Sequence, residues 1–304
     1  MSCVPARALF HTAPRCVEIR EVPAPRPAAG EVPAELALDD TIDALGGTFS
    51  YPFAYGYACV GVVTESGQAV FAFHPHQDIF AARASELIPL PGIDPASATL
   101  LPLVETALQV TLDAGTGYRD RVIVLGAGVL GLLTGLLLQR SGWRPLIAEP
   151  LQWRRAVASS LGVATAAPAE LENEKVPLVI DASGNPDAPA MALDMLAHEG
   201  TLLVASWFGA KPVGLPLGGT FHRRRLTIRS TQVSTVPARL SGTWSRSRRR
   251  QETVELLGEL PLAQLCTHVF DFGDAADAFR AVDQGKPGLM HAVLNYDRSA
   301  AGDL

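Results

Sequence analysis

The chain has 304 residues, 48% of them hydrophobic and 18% charged, with a formal net charge of −6 at pH 7. The length suits two medium-sized domains, because single cores stop growing near about 250–300 residues, and the apolar share excludes a disordered chain. The acidic balance argues against a general nucleic-acid binder, which needs a basic surface to displace counterions from phosphates. The four cysteines, Cys3, Cys16, Cys59 and Cys266, have no C-x-x-C spacing that would clamp zinc or form a redox pair. The opening residues lack an apolar core followed by a cleavage site. The most apolar stretch, Val122 to Leu138, is split by Gly126, Gly128, Gly131 and Gly135 and is shorter than the ~20 residues of a membrane span. A cytoplasmic protein without membrane or nucleic-acid partners is therefore expected. Two basic clusters, Arg223-Arg224-Arg225 and Arg246, Arg248, Arg249 and Arg250, read as solvated turns or helix starts.

From Ala6 to about Pro91, short apolar runs are punctuated by Pro and Gly: ARALF, CVEIREV, CVGVVTE, QAVFAF and DIFAARASELIPL. They predict a small, irregular β-rich domain, with a loop between Pro23 and Pro33 where Pro, Gly and Ala crowd. At Asp94 an Asp-Pro start opens helical spacing through Leu112. Strand-like V/I/L blocks then alternate with helical patterns: VIVLGAGVLGLLTGLLLQRSG, PLIAEP, RRAVASSLGV, LVIDASG, PDAPAMALDMLAHEG, TLLVASW and LTIRSTQV. Continuous apolar strands alternating with helices are the signature of an α/β fold, a parallel sheet covered on both faces. After Ser234 come an Arg-rich loop, a helix near Arg248 to Gly258, the strand THVFDFG, the helix DAADAFRAVDQG and a last strand MHAVLNY, which break the βα rhythm and return to the first domain.

The strand-turn-helix from Arg121 to Arg140 carries the functional argument. RVIVL ends at Gly126, where the chain turns tightly; Gly128 lets the backbone approach a pyrophosphate, and Gly131 lets helix and strand pack closely. The helix N-terminus at Val129 and Leu130 then offers N–H groups and a positive dipole end to phosphates. The next strand, PLIAE, ends in Glu149, where a carboxylate accepts the adenosine ribose hydroxyls and repels a 2′-phosphate, favouring NAD over NADP. The neighbouring Arg154 and Arg155 work against that preference. An S-adenosylmethionine site, which also pairs a glycine-rich turn with an acid on the next strand, is the competing ligand reading.

This order of parts resembles the medium-chain dehydrogenase/reductase superfamily, the zinc-type alcohol dehydrogenase and quinone reductase group, over most of the chain. The resemblance is carried by LLPLVETALQV, RVIVLGAGVLGLL, VIDASG, GTLLVASWFG, LTIRST and the closing DAADAFRAVDQG. It implies a Rossmann doubly wound sheet over residues 104–233 and a shortened GroES-like domain over 1–103 and 234–304. It also implies hydride transfer to or from a small or medium-sized organic substrate, a carbonyl or alcohol or an activated C=C; family members commonly pair sheet edges into homodimers, and the oligomeric state is left open. Thr106 looks like the threonine set beside the nicotinamide, and Ser183 and Ser206 fall on strand ends lining the cofactor cleft. The departures are equally specific: where zinc-dependent members carry Gly-His-Glu, this chain reads Gly56-Tyr57-Ala58, and no Cys stands between Cys16 and Cys59. The expectation is a zinc-independent oxidoreductase, with Tyr57, Glu105 and His76 as catalytic candidates and His74 beside them. Glu105, in an apolar helix, must be hydrogen-bonded or at the cleft. A non-catalytic nucleotide-binding or sensor protein is the alternative.

Overall fold

The computed structural model describes residues 5–23 and 51–296; beyond Pro23, the expected Pro/Ala-rich loop lies outside the described residues, as does Cys3. The chain divides into two compact units, one of residues 1–102 and 257–304, the other of residues 103–256.

The first unit opens with the antiparallel hairpin β1 (Ala6–Ala13) and β2 (Cys16–Val22), and β3 (Phe53–Ala54) pairs with β1 on its other side. A second antiparallel sheet holds β4 (Cys59–Val62), β5 (Ala69–Ala72) and β6 (Ile88–Pro89). DIFAARASELIPL is not the strand its composition suggests. It presents no buried face before Leu90, a 3-10 turn occupies Ala84–Glu86, and only Ile88–Pro89 pairs with β5. The Asp-Pro start becomes α1 (Pro95–Ala98), where the Asp94 carboxylate accepts the Ser97 N–H at 2.9 Å and Pro95 loses no helical bond. The division into units falls within the next helix, α2 (Leu101–Ala114).

The second unit is a six-stranded parallel sheet. Its elements in chain order are β7 (Arg121–Leu125), α3 (Val129–Arg140), β8 (Arg144–Ala148), α4 (Gln152–Ser160), β9 (Ala164–Ala166), β10 (Val176–Asp181), α5 (Ala188–Met195), β11 (Leu196–Val204) and β12 (Thr227–Ser230). The spatial order is β12-β11-β10-β7-β8-β9, so the winding reverses between β7 and β10. This is the doubly wound Rossmann arrangement, which places its ligand crevice beyond the carboxyl ends of the strands at the reversal. Ile123, Leu125, Val179, Leu193 and Leu202 belong to one buried cluster, as uninterrupted apolar strands require when helices cover the sheet.

The helical reading of PDAPAMALDMLAHEG holds only to Met195. β11 starts at once and bulges, with Val176 opposite Leu196 and Leu178 opposite Thr201. Within the bulge Glu199 takes a left-handed φ of 57° and donates its N–H to the Arg224 carbonyl at 2.8 Å. The helix α6 (Arg246–Glu259) follows, and the second division falls within it, so residues 234–256 group with the sheet rather than with the first unit.

The closing elements β13 (His268–Asp271), α7 (Ala275–Asp283) and β14 (Ala292–Asn295) complete the first unit, where Phe272 and Ala275 share a buried cluster with Leu9 of β1. Among the described residues, no helix is long and apolar enough to cross a membrane.

Candidate functional site: a glycine turn at the sheet's reversal

In the second unit, Gly126 follows β7 with φ +97°, and a Cβ there would come within 2.8 Å of Ser183 Cα and 2.9 Å of the Ala182 carbonyl oxygen. Only glycine lets the ends of β7 and β10 come this close. A Cβ on Gly131 would lie 2.0 Å from the Gly126 carbonyl oxygen, so helix and turn also require glycine. Gly128 differs. Its backbone is extended, and a Cβ there would meet no protein atom within 4 Å. It is the N-cap of α3 yet carries no side-chain cap, and neither Val129 nor Leu130 puts an acid in the first turn. Open space over a glycine beside uncapped helical N–H groups fits the pyrophosphate of a dinucleotide.

The successive strand ends are tied together by polar contacts. The Asp181 carboxylate, fully buried at the last residue of β10, accepts the Ser183 N–H at 3.0 Å and its hydroxyl at 2.6 Å, while the Asp181 backbone carbonyl accepts the N–H groups of Ala205 and Ser206. The Ser206 hydroxyl in turn accepts the Gly184 N–H at 2.9 Å. Ser183 and Ser206 therefore converge through Asp181, which fixes their loops. Glu149, at the end of β8, is only 3% exposed; one oxygen accepts the Ala127 N–H at 2.8 Å and the other the Leu151 N–H at 2.9 Å. Arg155 donates to the Glu149 and Pro150 carbonyls, both at 2.7 Å, and the Arg154 guanidinium carbon stands 5.1 Å from the centre of the Trp153 ring.

On α2, Thr106 is half-buried and Glu105 is buried. Both Glu105 oxygens are engaged: Arg249 Nε stands 3.2 Å from one and Arg250 Nη2 2.8 Å from the other. Arg249 is 2% exposed, which corrects the solvated reading of its cluster. Its guanidinium also meets the Gln109 side chain and the Val233 carbonyl, and Arg249, Thr253 and Leu257, four residues apart, form the buried stripe of α6. That spacing was the available signal, masked by the polar run around it.

In the first unit, Tyr57 is 37% exposed, and its phenol is pushed above the ordinary range by burial and by Tyr55. His76 packs against Gly56, whose missing Cβ would fall 2.6 Å from its ring. Burial, aided by His11, pulls its imidazole down to about 4, and Nδ1 lies 3.2 Å from the Tyr296 hydroxyl, a partner that sequence reasoning did not find. His74 stacks on Phe80 at 3.9 Å, with Nδ1 bonded to the Pro75 carbonyl. Burial pushes the Cys59 thiol up to about 12, and its sulfur faces the His74 carbonyl at 3.2 Å. Among the described residues, no three His, Cys, Asp or Glu side chains gather as a metal set.

No protein-family model matches the chain. Among curated proteins, it is 24% identical over 195 residues to an L-galactonate-5-dehydrogenase of Escherichia coli, covering 59% of this chain and 56% of that protein. It is 27% identical over 247 residues to an L-threonine 3-dehydrogenase of Pyrococcus horikoshii, covering 77% and 66%. The chain thus spans about half the length of the first curated relatives it matches. Among solved structures, an Escherichia coli protein called a short chain alcohol dehydrogenase, in complex with NADH, superposes with a TM-score of 0.74 at 18% identity, over 96% of this chain and all of that one. The quinone oxidoreductase of Thermus thermophilus, solved with NADPH, superposes with a TM-score of 0.69 at 25% identity, over 95% of this chain and all of that one.

Proposed function

We propose, on the premise that the relatives and structural neighbours of this chain are medium-chain zinc-type alcohol dehydrogenase-like and quinone oxidoreductase family members, that it is an NAD(P)(H)-linked oxidoreductase of a small organic substrate. The observation that carries this reading is the open space over Gly128 beside the uncapped start of α3, at the point where the sheet reverses its winding. In it, Gly126, Gly128, Val129, Leu130 and Gly131 form the pyrophosphate turn, while Ser183, Ser206 and Thr106 line the path toward the nicotinamide. The choice between NAD(H) and NADP(H) rests with Glu149, Arg154 and Arg155. When bound, the dinucleotide supplies or accepts the hydride.

The remaining chemistry is polarisation of the substrate oxygen and proton transfer. Of the three catalytic candidates, Tyr57 suits that task best: the residue is 37% exposed and, with its acidity suppressed by burial, its phenol stays protonated as a donor at neutral pH. His76 is a neutral imidazole there, tied to Tyr296, and orients rather than protonates. Glu105 serves as counter-charge to Arg249 and Arg250. With Tyr57 and Ala58 in place of metal-ligating side chains, the reaction proceeds without zinc.

Titration of the full chain with NADH and NADPH, metal analysis, and turnover against a panel of carbonyls, enones and quinones test this reading. Dinucleotide binding with turnover by metal-free protein is the expected result. Stoichiometric zinc overturns the metal-free mechanism, binding without turnover makes the chain a non-catalytic dinucleotide binder, and binding of neither cofactor overturns the reading as a whole.

A further inference from the structure

In the first unit, the segment Tyr51-Pro52-Phe53-Ala54-Tyr55-Gly56-Tyr57 sets an aromatic ring at every second residue. The ring centroids of Tyr51 and Phe53 are 5.3 Å apart and those of Phe53 and Tyr55 6.1 Å, both within the range of attractive ring pairs. Gly56, with φ +125°, turns the chain after Tyr55. Tyr55 still stands close enough to Tyr57 to help raise its phenol, so the strip of rings runs on to the hydroxyl that polarises the substrate oxygen.

The strip is preformed. Phe53 stands opposite His11 in the register of β3 with β1, and the His11 ring lies nearly parallel to it at 5.5 Å, with Tyr55 and Phe279 meeting that ring edge-on at 5.6 and 5.3 Å. It is also uncharged: burial lowers the imidazoles of His11 and His76 and raises the phenols of Tyr55 and Tyr57, so all four are neutral at neutral pH. Tyr51 and Tyr55 are nevertheless 47% and 38% exposed. Large rings held in place by their neighbours and left open to water lose little freedom when a ligand covers them, and contiguous exposed rings mark a binding surface. These side chains offer a charged ligand no counter-charge. A flat, uncharged ring gains both buried area and stacking there.

We infer that Tyr51, Phe53 and Tyr55 form a subsite that stacks an aryl group of the substrate, so that the molecule whose oxygen meets the Tyr57 hydroxyl is an uncharged, aryl-substituted ketone or alcohol. This rests on the oxidoreductase reading above and on Tyr57 as its donor. The stacking itself needs neither cofactor nor turnover, so the two fail separately.

The test is a ligand-observed NMR titration of the full chain with butanone, benzylacetone, the cyclohexyl analogue of benzylacetone and xylitol, followed by turnover of the ketones with NADH and with NADPH. Benzylacetone is expected to bind about tenfold or more tighter than butanone, from the area its ring buries. It should also bind roughly two- to tenfold tighter than its cyclohexyl analogue, the margin that ring pairing adds beyond area. Tyr51→Ser and Tyr55→Leu each lower the benzylacetone-to-butanone affinity ratio. If Tyr55→Leu fails to fold, the more exposed Tyr51→Ser decides. Equal binding of benzylacetone and its cyclohexyl analogue, tighter binding of xylitol, or a ratio untouched by Tyr51→Ser overturns the inference. Ring-selective binding with no turnover of any ketone supports the stacking subsite and removes the catalytic reading. Turnover with equal kcat/KM for butanone and benzylacetone does the reverse.

Discussion

Gly128 and Gly131 stand three residues apart in one motif and do opposite work. A methyl group added at Gly131 would press to 2.0 Å from the Gly126 carbonyl oxygen, whereas one added at Gly128 would meet nothing of the protein. Gly131→Ala is therefore expected to destabilise the fold by roughly 1–3 kcal/mol, as overpacking does, measured by urea denaturation. Gly128→Ala, at an ordinary extended backbone position, should leave stability within about 0.5 kcal/mol while weakening dinucleotide affinity in the same titrations that test function. The three glycines were legible in the sequence because their spacing between an apolar strand and a helix is itself the signal. The orientation of Glu149 was not, because a carboxylate at a strand end has the same spacing whether it points at a ligand or back at the Ala127 N–H.

Between elements, the informative contact is the one that fastens α6 to α2. Arg249 and Glu105 are both buried, and each has further partners that satisfy it, Arg250 for the carboxylate and Gln109 and Val233 for the guanidinium. Removing one member of such a pair leaves the other charge stranded away from water. Arg249→Met should cost about 3–5 kcal/mol, and the double variant Arg249→Met with Glu105→Leu should recover most of it, again by urea denaturation. Helix α6 itself was legible to within two residues at its start. Its attachment was hidden, because the run Arg246 to Arg250 has the composition of a solvated face and only the four-residue repeat of Arg249, Thr253 and Leu257 betrays the buried stripe.

For the whole molecule, the parallel sheet covered on both faces followed from the rhythm of apolar blocks and helices, whereas its doubly wound arrangement came with the family resemblance and not from that rhythm. The irregular first unit was less legible: the two-residue strands β3 and β6 have too little periodicity to announce themselves. That unit also sets a pH dependence. Burial lowers His76 and His291 from 6.5 to about 4, so between those values the unfolded chain binds protons that the folded chain refuses. Their contribution to stability is intact above about pH 6.5 and is lost as the pH falls toward 4. Melting temperature should decline over that window, and less steeply in a variant carrying His76→Gln and His291→Gln. The pairing of Leu9 with Phe272 in one buried cluster has a consequence for how the chain matures. Residues 103–256 are contiguous in sequence, whereas Leu9 of β1 stays uncovered until Phe272, made after them, is available, so the contacts of long sequence separation in the first unit are expected to slow folding and prolong exposure to aggregation.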